Sequence, residues 1–125
     1  MAKIKLSKMP KTWLLDVDGV VFVHNSHLSE GDRLVEGVKA FIDALPMQDM
    51  IILLTARTEE HRPATEASLK KHGIRYDAIL FNLPMGERVL VNDSKPANAD
   101  FPEMITSIAI STHRDVCDIP SIEYN

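Results

Sequence analysis

In the stretch LLDVDGVVF, from Leu14 to Phe22, two carboxylates one residue apart, Asp16 and Asp18, close an apolar run and precede a glycine. A short apolar run of this kind reads as a buried strand, so the acidic pair stands where that strand meets solvent. Two anions crowded at one strand end need a counter-charge. A hard divalent cation supplies one: Mg²⁺ prefers oxygen ligands, keeps several waters, and takes one or two carboxylates together with phosphate oxygens. A metal that neutralises both groups also leaves a carboxylate oxygen free to attack phosphorus.

Two other apolar runs end in groups that suit the same ligand. Met50 to Leu54 leads into Thr55-Ala56-Arg57, and Val89 to Val91 leads into Asn92-Asp93. Thr55 can donate to a phosphoryl oxygen, and Arg57, Arg88 or Lys95 can offset the charge on a transferring group. Each has a plainer reading beside it. Thr55 can cap the following helix, Asp93 can be a turn residue beside Ser94 and Pro96, and Arg88 and Lys95 can be solvated. Arg57 reads first as an exposed partner of Glu59 or Glu60. His24, His27, His61, His72 and His113 show no metal-ligand spacing, and His24 and His27 read as surface positions.

The elements that must position these groups follow from periodicity. Thr12 to Val17, Met50 to Leu54, Ala78 to Phe81, Val89 to Val91 and Ser107 to Ile110 are the apolar runs expected to be strands. Val20 to His24 could form one arm of a small hairpin turning at Asn25-Ser26. Val35, Val38, Phe41, Ile42 and Leu45 recur at helical spacing up to Pro46, with Gly37 weakening the pattern. A polar helix is expected from about Glu59 to His72, with Thr58 as N-cap and Gly73 ending it. Pro63 fits only the first turn, which allows a start as late as Arg62. A shorter helix could span Asn98 to Met104. Strands alternating with helices imply a parallel sheet covered by helices, whose ligands bind outside the carboxyl ends of the strands.

The whole chain bounds the reading. Its 125 residues, 45% hydrophobic, suit a single domain, 1–125, with a basic N-terminal extension over 1–10 and an irregular tail over 112–125. A net charge of −4 with both signs dispersed announces no basic face for nucleic acid. The single cysteine, Cys117, excludes an intramolecular disulfide, and no segment has the length of a signal or a membrane span. A cytoplasmic location is the expectation.

Taken in order, DVDGV, LLTAR and RVLVNDSKP resemble three motifs of the haloacid dehalogenase-like (HAD) superfamily: Asp-x-Asp-x-Thr or Val, a strand ending in Ser or Thr, and a terminal acidic motif. The resemblance runs from about Trp13 to Pro96. It implies a Rossmann-like three-layer α/β/α sandwich with a five-stranded parallel sheet of order 5-4-1-2-3. It also implies a Mg²⁺ cofactor and phosphomonoester hydrolysis through an aspartyl-phosphate. By that resemblance Asp16 is the nucleophile and a metal ligand. Asp18 exchanges the proton with the leaving oxygen and the attacking water and binds metal through its carbonyl, Thr55 holds the phosphoryl group, and Asp93 with Asn92 completes the metal site. Gly19 to His27 corresponds to the family's mobile flap.

This sequence departs from the pattern twice. The stretch Asn82 to Glu87 lacks the family's usual lysine, leaving Arg88 and Lys95 as its substitutes, and Asn92 stands where a second acid is common. The Asn-Asp form resembles small capsule-biosynthesis phosphatases, which implies a sugar phosphate. No segment is long enough for a cap domain, so the site should be open, and a homo-oligomer could cover it. Two other classes compete. A receiver-like signalling domain would need its phosphoacceptor after the third strand, where Phe81-Asn82-Leu83 has no carboxylate. A binding or scaffold protein that keeps the fold but has lost turnover would fit the missing lysine and the single acid.

Overall fold

The computed structural model describes residues 3–28, 31–97 and 106–124. In chain order the strands and helices are β1 (Lys3–Leu6), β2 (Thr12–Asp16), α1 (Val38–Ala44), β3 (Met50–Leu54), α2 (Arg62–Lys71), β4 (Ala78–Leu80) and β5 (Ser121–Tyr124). The chain divides into two compact units. One comprises Pro10–Met85 with Thr112–Asp118; the other comprises Met1–Met9, Gly86–Ser111 and Ile119–Asn125.

The first unit is an α/β layer built on a parallel sheet of order β2-β3-β4. Leu14 lies opposite Ile52 and Asp16 opposite Leu54, and Ile52 to Leu54 lie opposite Ala78 to Leu80. Parallel neighbours require crossovers, and α1 and α2 supply them. Side chains alternate across a strand, so Leu15, Ile51, Leu53 and Ile79 share one face. That face is buried with Val38, Ile42 and Leu45 from the first crossover and Leu69 and Ile74 from the second. Full burial of such a side chain contributes ~1.5–3 kcal/mol. The opposite face stays open: Leu14, Met50 and Leu80 are 45%, 49% and 50% exposed. No described helix covers it, so the described part of this unit has two layers where three were expected.

The helix ends follow local chemistry. Gly37, in the left-handed region at φ 89°, serves as N-cap and delays α1 to Val38, past the expected start at Val35. At the other end, Arg75 Nη2 donates to the carbonyls of Ile42 and Leu45, at 3.2 and 2.6 Å. Pro63 sits in the first turn of α2, and the residues before it, Glu59–His61, form a single 3₁₀ turn. Gly73, at φ 69°, ends the second crossover helix as its position suggested.

At the amino ends of the strands, Asp49 forms a buried staple. Its carboxylate accepts from the Lys11 amide at 3.0 Å and from Trp13 Nε1 at 2.9 Å, and pairs with Lys11 Nζ at 3.2 Å. Burial raises the Asp49 pKa, but these donors outweigh burial and hold it below the usual carboxylate value. One strand along, Asp77 Oδ2 accepts from the Ile51 amide at 2.8 Å.

In the second unit β1 and β5 pair in parallel, Lys3 opposite Ser121 and Leu6 opposite Tyr124. The stretches expected to be an N-terminal extension and an irregular tail thus contain strands. Among the described residues the expected 5-4-1-2-3 sheet is not formed: β2, β3 and β4 make a three-stranded parallel sheet, and Val89–Val91 and Ser107–Ile110 are not strands. Val89 and Val91 are 83% and 92% exposed, so among the described residues little packs on the tripeptide to stabilise an extended ladder. The helix expected over Asn98 to Met104 lies outside the described residues. Among the described residues, no helix is long and apolar enough to cross a membrane.

Candidate functional site

The site is built at the carboxyl ends of β2 and β3. Val17 extends the β2–β3 ladder, its amide donating to the Leu54 carbonyl at 2.9 Å, and Thr55 extends the β3–β4 ladder with a 3.0 Å bond to the Leu80 carbonyl. Strand pairing alone therefore brings Asp18 beside Thr55, whose hydroxyl donates to Asp18 Oδ2 at 3.2 Å. The turn after β3 is fixed from below. Asn82 and Leu83 donate their amides to the carbonyls of Arg57 and Thr55, at 2.8 and 3.1 Å, and the Arg57 amide donates to Thr55 Oγ1 at 3.0 Å. Thr55 is fully buried. Its single proton is engaged with Asp18, so holding a phosphoryl oxygen would require that proton to change partner.

Arg57 overturns its expected surface role. Glu59 pairs with Arg62 at 2.7 Å and Glu60 with His61 at 3.7 Å, while Arg57 turns inward. Its Nη2 donates to Asp18 Oδ1 and to Asp32 Oδ1, both at 2.8 Å. Nε reaches Asp18 Oδ1 at 3.2 Å, and Nη1 reaches Asp32 Oδ2 at 3.1 Å and Thr65 Oγ1 at 2.9 Å. Beneath it the Phe22 ring lies 5.6 Å from the guanidinium carbon. Two carboxylates outbid an exposed glutamate here, because a planar fork with five donors can serve both at once. Burial lowers the Arg57 pKa, but its hydrogen bonds to Asp32 and Asp18 and their charges prevail and raise it. For Asp32, burial pushes upward and the Arg57 contact prevails, leaving its pKa lowered.

The loop that leaves Asp18 is part of the core, and its residues 21–23 pair antiparallel with 33–35. The Val23 amide donates to the Arg33 carbonyl at 2.8 Å and the Val35 amide to the Val21 carbonyl at 2.9 Å, so the expected arm forms but pairs beyond a turn at Asn25-Ser26. Gly19 takes φ 89°, and Val21 and Phe22 are fully buried. Isolated bridges join Phe22 to Asp18 and to Leu34. The loop is also strapped by residues 112–118. The Asp115 amide donates to the Gly19 carbonyl at 2.8 Å, and Asp115 Oδ1 accepts from the His24 amide at 2.7 Å. Along the strap, His113 pairs with Asp118 at 2.6 Å and Cys117 Cβ lies 3.7 Å from where a Gly37 side chain would begin.

His27 occupies a short 3₁₀ turn, Ser26–Leu28, with its ring edge-on to His61 at 5.8 Å. Its Nδ1 is buried without a hydrogen-bond partner among the described residues. Burial, then the nearby Arg57 charge, lowers its pKa. It is less of a surface residue than its sequence context implied.

Of the expected site residues, Asp16, Asp18 and Thr55 share the ends of two adjacent strands. Arg88, Asn92, Asp93 and Lys95 belong to the other unit, where they are exposed and lie outside any helix or strand. Sequence reasoning missed Asp32, Thr65 and Asp115. LSEGDRL reads as a polar loop, and Asp32 beside Arg33 gives no sign there of a partner elsewhere in the chain.

The donors at the strand ends are oxygens, the chemistry that suits Mg²⁺. The Asp16 carboxylate and the Asp18 main-chain carbonyl fit as two ligands, since the Asp18 carboxylate is engaged by Arg57 and Thr55. Among the described residues no group of three His, Cys, Asp or Glu side chains forms a cage. The fit is to an ion that keeps much of its water.

No protein-family model matches the chain, and no curated protein matches it significantly. A solved structure, that of the Pnkp1/Rnl/Hen1 complex, contains a similar chain, with 27% identity and a TM-score of 0.51. The similarity covers 66% of this chain and 31% of that one, so this chain spans about a third of that neighbour's length.

Proposed function

We propose that the protein is a Mg²⁺-dependent phosphomonoesterase of the HAD type, acting on a small phosphate ester, with sugar phosphates favoured. The observation that carries the reading is the β2–β3 register, which sets Asp16 opposite Leu54 and Asp18 against Thr55 at the carboxyl end of a parallel sheet. The order β2-β3-β4 supports it, since it corresponds to strands 1-2-3 of the family's sheet.

The chemistry follows from the side chains. An Asp16 oxygen attacks phosphorus as the bond to the leaving oxygen breaks, giving an acyl-phosphate on Asp16. Asp18, held by Arg57 and Thr55, hands a proton to the leaving oxygen. It then takes one from the water that attacks phosphorus, which frees Asp16 and returns both groups to their starting state. Asp16 and the Asp18 carbonyl would hold the magnesium ion, which supplies charge neutralisation when bound. The roles assigned by resemblance to Asn92, Asp93, Arg88 and Lys95 belong to the same proposal, and no step above depends on them.

Phosphate release from a panel of sugar phosphates and nucleotides tests the reading. Activity is expected with Mg²⁺, lost on chelation, and reduced about 10³-fold or more by Asp16→Asn. Turnover that survives that substitution removes the nucleophile and the proposal with it. A second reading, a binding protein without turnover, is favoured by one observation: both Asp18 oxygens already have partners in Arg57 and Thr55. Magnesium-dependent retention of a phosphate ester with no hydrolysis across the panel would select it.

A further inference from the structure

One cation held between a buried and a half-buried carboxylate is more than stability requires. Arg57 and Asp32 side chains are each only 3% exposed, whereas Asp18 is 19% exposed. A single carboxylate would neutralise Arg57. The second leaves an excess negative charge in a poorly solvated place, an arrangement that costs stability unless geometry compensates. The geometry here is specific. Asp32 takes Nη1 and Nη2 as a side-by-side pair, at 3.1 and 2.8 Å, and Thr65 takes the remaining direction of Nη1 at 2.9 Å. The inner edge of the guanidinium is thereby fixed in plane and in rotation. Its outer edge, Nε and Nη2, then has one orientation in which to meet Asp18. Asp32 is also tied at its main chain, its carbonyl lying 3.2 Å from His72 Nε2. Asp32 is too deep to touch a ligand, and Asp18 is not.

We propose that Asp32 is a positioning residue that acts through Arg57 to hold the Asp18 carboxylate against Thr55 at the mouth of the site. The inference concerns side-chain geometry. Only its kinetic arm rests on the phosphomonoesterase reading.

Asp32→Asn tests it, because the amide keeps the size of the side chain but turns one acceptor into a donor facing the guanidinium. In a crystal structure of that variant, Arg57 is expected to leave the plane it shares with Asp32, and the contact between Asp18 Oδ2 and Thr55 Oγ1 to be lost. With a substrate that the wild-type protein hydrolyses, kcat is expected to fall about 10²-fold with KM little changed, the size of loss that a misplaced reacting group produces. Asp32→Glu keeps the charge and should retain part of the lost kcat. If Asp32→Asn does not fold, Asp32→Glu alone decides, with a fall of roughly tenfold in kcat at constant KM expected. An Asp18 carboxylate still seated on Thr55 and Arg57 in the variant structure overturns the inference. So does a kcat equal to wild type, or a loss confined to KM. A wild-type protein inactive on every phosphate ester would remove the phosphomonoesterase reading, and the crystallographic arm would still judge Asp32.

Discussion

The same three strands carry a buried ionic cluster at each end, and the two clusters are built to different rules. At the amino end Asp49 meets one cation, Lys11, and two further donors, so every charge is matched and the group is closed. At the carboxyl end Arg57 is shared by Asp18 and Asp32, which leaves one negative charge over and one carboxylate turned toward solvent. Matched charge fastens a strand end. Unmatched charge at a solvent-facing edge is costly, and is kept where a ligand can complete it.

Breaking the two clusters should separate these roles. Arg57→Ala leaves the buried Asp32 carboxylate facing Asp18 with no cation between them, and should cost about 3–5 kcal/mol in urea unfolding as well as abolishing phosphate release. Asp49→Ala strands the Trp13 and Lys11 donors and should cost ~2–3 kcal/mol, with kcat per folded molecule unchanged. Equal losses of kcat in both variants would erase the distinction. Thr55→Val is finer. It leaves the Arg57 amide without its acceptor and should cost about 1–2 kcal/mol, with a loss of activity out of proportion to that figure.

Acidity sharpens the contrast with smaller effects. Asp32 and Asp49 both have pKa values below their ordinary 3.8, so the unfolded chain binds more protons than the folded one in the window beneath that value. Their contributions are therefore complete above 3.8 and are lost as pH falls through the lowered values. His27, found only near the carboxyl-end cluster, is lowered from 6.5. The unfolded chain takes up its proton first, and stability begins to decline once pH drops below 6.5. Unfolding midpoints followed from pH 8 to 5 should show a slope in the wild type that His27→Phe reduces and Asp49→Asn leaves in place.

Local pattern made part of this visible before any coordinates. β2, β3 and β4 are continuous apolar runs, and α2 is bracketed by Pro63 and Gly73, so each announces itself within its own segment. The acidic pair and Thr55 were legible because strand ends gather by topology. Asp32 was not, since a carboxylate that pairs with Arg57, 25 positions away, leaves no spacing on its own loop. β1 and β5 are four residues each, KIKL and SIEY, whose alternation is too brief to stand out from polar surroundings. Val89–Val91 misled for the converse reason: apolar composition shows what could be buried, not what finds a neighbour.

The strap through Asp115 bears on synthesis as well as on shape. The carbonyl of Gly19 and the amide of His24 are met by a residue up to 96 positions further along the chain, with 91 separating His24 from Asp115. A nascent polypeptide emerging from the ribosome can therefore pair its first three core strands well before the turn beyond Asp18 acquires its fastening. Truncation ahead of residue 112 would yield a chain with its scaffold but with that turn unsecured.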